Sequence, residues 1–208
     1  MKPTFKLLAV FTLIVATFSH PINASAADVS KFKGHSVSAF FFNIDPSGCI
    51  NTGGSVFVSE NITHNPPGPG SSSADVLIDL FQFDFCTDTP LLSASSIAPA
   101  ENLDFQVAGN LTSATVHATV PMYDNVSDST FEVTVDLTWT STSSLGHQSS
   151  HVKTNFQGCH VNLKNNSAFR FAEASGTVSD GTTNFTPAPS SEATIFFAKG
   201  GQISHGCN

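Results

Sequence analysis

Charge is what this 208-residue chain lacks most: Asp, Glu, Lys and Arg make up 12% of it, against about a quarter in ordinary globular domains. Arginine, tryptophan and tyrosine occur once each, as Arg170, Trp139 and Tyr123. The surface is therefore polar through hydroxyls and amides, with Ser and Thr filling roughly a quarter of the sequence. This composition excludes a disordered acidic tail, a coiled coil and a polytopic membrane protein. The sequence also lacks a G-x-S-x-G elbow, H-E-x-x-H, a P-loop, G-x-G-x-x-G and an EF-hand loop, so no motif announces catalysis. Carbohydrate-binding β-domains tend to offer Trp or Tyr as exposed platforms. One of each, with Trp139 at an apolar position of its segment, weakens that reading.

What is present begins with a leader. Lys2 and Lys6 precede a 12-residue apolar run at 7–18, followed by polar residues and Ala24-Ser25-Ala26. Positive region, short apolar run and A-x-A site are the order of a secretory signal peptide, and the run is too short to span a bilayer. No cysteine sits at the cleavage point, and no second apolar stretch follows. The expectation is a signal peptide at 1–26 and a secreted, extracellular, soluble domain at 27–208, with no membrane insertion of the mature chain. The leader takes two of the 8 Lys+Arg and none of the 16 Asp+Glu, which leaves six bases against sixteen acids, a net charge of −10. A surface of that sign repels nucleic acid and anionic lipid, and no basic patch stands out along the chain. The expected partner is an unidentified ligand or cell-surface component, and not a nucleic acid.

Residues 28–34 read as a loose lead-in. After them, alternating and β-branched segments recur at 36–44, 50–60, 75–86, 105–108, 114–122, 131–140, 152–163, 168–178 and 193–204. Turn chemistry separates them: DPSG at 45–48, NPPGPG at 65–70, NVSD at 125–128, KNN at 164–166 and SDG at 179–181. No window carries a helical period. About nine strands without helices predict an all-β fold, a single antiparallel β-sandwich, with a β-barrel as the alternative.

One hairpin can be registered directly. From Phe131 to Trp139 the odd positions are all apolar, and Ala114, Val116, Ala118, Val120 and Met122 share a face of the preceding segment. Folding about 126/127 sets each of these opposite an apolar partner, Met122 with Phe131 through Ala114 with Trp139, a match that a one-residue slip destroys. The same operation about 67/68 places Cys49 opposite Cys86, with Gly53 and Gly54 against Gln82 and Phe81. Four cysteines in an exported chain favour disulfides. With Cys49–Cys86 chosen from three connectivities, Cys159 is left with Cys207. A zinc site built from Cys159, His160, His205 and Cys207 is disfavoured because adjacent strand residues face opposite ways.

Chemistry-bearing candidates are few. His117 faces Asp136 on the polar side of the hairpin, half of a hydrolase triad by type but an ordinary surface pair by position. His147 and His151 lie four apart, about 13 Å in an extended chain and too far to share an ion. Asp84 and Asp88 around Cys86, and Asp124, Asn125 and Asp128, could supply Ca²⁺ oxygens, although turn chemistry accounts for them. Arg170 is expected to pair with an acid. No catalytic residue, metal ligand or cofactor is assigned. Asn-x-Ser/Thr sequons begin at Asn61, Asn110, Asn125, Asn165 and Asn184, relevant only in a glycosylating host.

The run from Arg170 through Phe185 to Pro187, together with Asp45-Pro-Ser-Gly-Cys49 and Val135-Asp-Leu-Thr-Trp139, resembles a group of uncharacterised exported bacterial β-rich proteins of about this length. The resemblance spans residue 36 to the C-terminus. It implies a bacterial source and unused sequons, and it carries no function. The reading from the residues is a secreted, non-catalytic structural or ligand- or surface-binding module. The competing classes are a secreted hydrolase with loop-borne catalytic residues and a small-molecule-binding barrel with a Phe-lined cavity.

Overall fold

The structure, a computed structural model, describes residues 28–156, 159–185 and 193–205. Their elements are β1 (Asp28–Ile44), β2 (Ile50–His64), β3 (Ser71–Asp84), β4 (Thr89–Ser96), β5 (Glu101–Val107), β6 (Ser113–Asp124), β7 (Ser129–Ser141), β8 (Gly146–Phe156), β9 (Cys159–Ser179), β10 (Asn184–Phe185) and β11 (Ala193–His205). All pairings are antiparallel, and no helix occurs among the described residues. The order runs β10-β9-β11-β1-β2-β3-β4-β6-β5, and β7 pairs with both β6 and β9, so the hydrogen-bonded path returns on itself. The 21-residue β9 makes this possible: one stretch of it pairs with β8 and β11, the other with β7 and β10.

Alternation builds the core. In β6 and β7 the partners are Met122 with Phe131, Val120 with Val133, Ala118 with Val135, Val116 with Leu137 and Ala114 with Trp139, as expected. Val37, Val56, Val58, Val76, Ile78 and Ile195 join them, each 1% exposed or less. Burying a side chain of this size contributes about 1.5–3 kcal/mol. Trp139 is fully buried between Ala114 on β6 and Ala174 on β9, two residues small enough to admit an indole. Its Nε1–H donates to the Ser38 carbonyl of β1 at 2.8 Å, linking strands that are not neighbours in the sheet. Gly176 on β9 has φ +119°, and a Cβ there would lie 2.1 Å from the Asp136 carbonyl oxygen of β7, so only glycine fits.

Several expectations need correction. The lead-in at 28–34 is strand, paired with β11 throughout and with β2 from Lys31 onward. KNN at 164–166 lies inside β9, and the segment expected at 152–163 spans the end of β8 and the start of β9. β4 was not foreseen: Pro90 and hydroxyl-rich residues hide its pattern. The β2–β3 register is one residue from the expected one, pairing Gly53 with Phe81 and Gly54 with Leu80. Even must meet even here, because Val56 and Val58 need Ile78 and Val76 opposite them. The Cys49–Cys86 disulfide nevertheless forms just beyond the ladder, where Phe85 N–H donates to the Cys49 carbonyl. It is the one disulfide with both cysteines described. No described cysteine is free, and the Cys159–Cys207 pairing falls partly outside the described residues because Cys207 does. The leader lies outside them as well.

Candidate binding face

The strands continue past the core as a wing formed by residues 28–36 of β1, the end of β2, β8, the first half of β9 and the second half of β11. Register fixes which residues share its faces. The innermost row on the core side holds the buried Val37, Ile195 and Val58, with Arg170 in line at its β9 end. The next holds His35, Phe197, Ala168, Glu60 and His147. Then come Lys33, Lys199, Asn166 and Ile62, followed by Lys31, Gly201, Lys164, His64 and His151. Lys153 stands with Asn162 and Ile203, and His160 with His205 at the far end. Every described lysine and arginine, and six of the seven described histidines, thus lies on one face of one sheet. Glu60 is the acid on this face of the wing, and it pairs with His35 at 3.5 Å.

A groove of about 450 Å³ runs between Lys31, Lys33, Lys164 and Lys199, with Gly201 on its floor. A second hollow of about 290 Å³ adjoins it, sharing Asn166 and Lys199 and reaching Leu111 and Leu145 in two loops. Arg170 holds those loops against β9: its Nε–H donates to the Asn110 carbonyl at 3.0 Å and its Nη1–H to the Ser143 carbonyl at 2.7 Å. The expected carboxylate partner is replaced by backbone, and the role is structural. The lysine face is what sequence reasoning missed. Its members are scattered from residue 31 to residue 199, and only the pairing register unites them.

The other candidates keep to turns and surfaces. His117 stands between Asp136 on β7 and Asp104 on β5, all three exposed. Its diagonal neighbours on that face are Thr115, Thr119, Thr134 and Thr138, so strand geometry sets no serine beside the imidazole. His147 and His151 are both exposed on β8, and His151 Nε2 bonds Asn162 Oδ1 at 2.7 Å. Asp124 is 4% exposed, and its oxygens accept from the N–H groups of Ser93, Val126 and Ser127 and from Ser127 Oγ–H. Burial works against its charge, but the Ser127 hydroxyl and those backbone donors outweigh it, and its pKa falls below the ordinary carboxylate value. Asp84 is likewise lowered, first by Thr87, and its Oδ1 accepts from Cys86 and Thr87 N–H. It stands with Cys49 and Cys86 within 4.8 Å, but those sulfurs are bonded to each other. Asp128 accepts from the Tyr123 hydroxyl, a bond that raises the phenol's pKa. These carboxylates do turn chemistry.

No family model matches this chain, nor does any curated protein or solved structure. Its class rests on its own geometry: an all-β antiparallel protein with a disulfide, compatible with an oxidising compartment outside the cytosol. No described helix is long and apolar enough to cross a membrane.

Proposed function

We propose that the protein is an exported, non-catalytic binding module of two facing β-layers, a sandwich, held by Cys49–Cys86 and a second disulfide, Cys159–Cys207. The Trp139 bond to Ser38 supports facing layers, since it spans the interior between strands that do not pair. The binding role is carried by one observation: the sheet extends well past its apolar core, and that extension gathers the lysines and most histidines on a single face. Core packing does not require the lysine-bearing face of this extension, because the side chains on that face are exposed or half-exposed. In a mature domain of net charge −10, the expected leader removed, the concentration of base on one wing provides a surface for an anionic surface component.

Two measurements on the mature protein test this reading. One is turnover of chromogenic ester, glycoside, peptide and phosphate substrates; the other is retention on an array of neutral and acidic polysaccharides. Retention without turnover, abolished by Lys33→Glu with Lys199→Glu, is expected. Turnover that disappears with His117→Ala and with Asp136→Asn would replace the module with a hydrolase.

A further inference from the structure

Resting on that reading, we infer that the groove between Lys31, Lys33, Lys164 and Lys199 binds an acidic polysaccharide. Lys33 and Lys199 are direct cross-strand partners, and like charges so placed repel across about 5 Å. Lys31 and Lys164 flank Gly201 one row further out, about 10 Å apart across two strand spacings and about 7 Å from the first row. The side chains of all four are exposed, and the groove they line with Asn166 and His64 contains no carboxylate. Glu60 sits one row nearer the core and is engaged by His35. Among the described residues nothing relieves the repulsion, and an anion from outside would relieve it.

The spacing selects the anion. A lone phosphate reaches two of the four amines, whereas a chain bearing an anionic group on successive units meets both rows. Gly201 leaves the trough open between the outer lysines: its nearest obstacle to a Cβ is the Ser30 carbonyl at 3.3 Å. Single-stranded nucleic acid is held by aromatic stacking as well as charge. Of the two rings bordering the groove, His64 and Phe32, the larger belongs to Phe32 and lies over Gly200 on the opposite face, so among the described residues no Phe, Tyr or Trp lines the groove on the face of the four lysines. A duplex or a bilayer would bring an extended anionic surface against the acidic remainder of the protein, within reach of a Debye length of about 8–10 Å. A single flexible chain meets the trough alone.

The experiment titrates the mature protein with dextran sulfate, uncharged dextran, oligothymidine and 1:3 phosphatidylglycerol–phosphatidylcholine vesicles. Polyanions do not generally retain a protein of net charge −10, which makes the signal specific. Dextran sulfate should bind saturably, weaken roughly tenfold or more between about 50 and 200 mM salt by counterion release, and lose at least tenfold in affinity with Lys33→Gln/Lys199→Gln. That variant should melt at or above the wild-type temperature, because a repulsion has been removed, and Glu132→Gln on the far side should bind normally. Absence of dextran sulfate binding at low salt, or binding indifferent to the lysines, overturns the inference. Tighter binding of oligothymidine, vesicles or uncharged dextran through the same lysines overturns the ligand class while the binding face stands. Substrate turnover in the parallel assay is what removes the binding module itself.

Discussion

Replacing Trp139 with Phe tests how the interior is held together. The indole is fully buried, flanked by Ala114 and Ala174, and donates to Ser38 O across the core. Phenylalanine keeps an aromatic ring but removes the donor, which costs about 1–3 kcal/mol with the acceptor left in a dry interior. The lost ring volume adds a cavity between two alanines too small to close it, on the order of 1–2 kcal/mol by scaling from large-to-small core substitutions. The sum is about 2–5 kcal/mol, a large part of the 5–15 kcal/mol typical of a domain, and it corresponds to a melting temperature lower by roughly 5–20 °C. Since the variant has no tryptophan, guanidinium unfolding is followed by far-UV circular dichroism, with the slope checked for constancy. A loss below about 0.5 kcal/mol would mean that Trp139 does not tie β7 to β1, and the argument for facing layers would go with it.

Two further outcomes are expected. The Cys49–Cys86 link closes a separation of 37 residues, so Cys49→Ser/Cys86→Ser should lower stability by about 4 kcal/mol through the unfolded chain; equal guanidinium midpoints would contradict this. Asp124 has its pKa depressed in the fold, so its contribution is full above the unfolded value near pH 4 and is lost as pH falls through the folded value. The stability gap between wild type and Asp124→Asn should therefore be widest at neutral pH and shrink below about pH 4, and urea melts showing a constant gap from pH 7 to pH 3 would reject the assignment.

Legibility followed alternation. The β6–β7 pairing could be read residue by residue because Phe131 to Trp139 alternates without a break, and burial of one face leaves a single register. The β2–β3 register went wrong where the loop centre and the cysteines were used in place of the apolar pattern, although Val56 and Val58 held the answer. The wing was hardest to see. Residues 28–34 and 164–166 do not bury a face, so their side chains carry no period, and Lys-Asn-Asn reads as a turn although it lies mid-strand. The lysine face was illegible for a related reason: pairs such as Lys33 with Lys199 are made by the fold, 166 positions apart in sequence.

That same pairing of β1 with β11, from Asp28 with Ser204 to Ala39 with Ala193, also sets a timetable. The strand that emerges first must wait for the strand that emerges last, so the path cannot close on any shorter nascent chain. Pairings this distant place folding among the slow, millisecond-to-second topologies. On that timetable the β2–β3 hairpin, and with it Cys49 and Cys86, is complete long before β11 emerges to close the path.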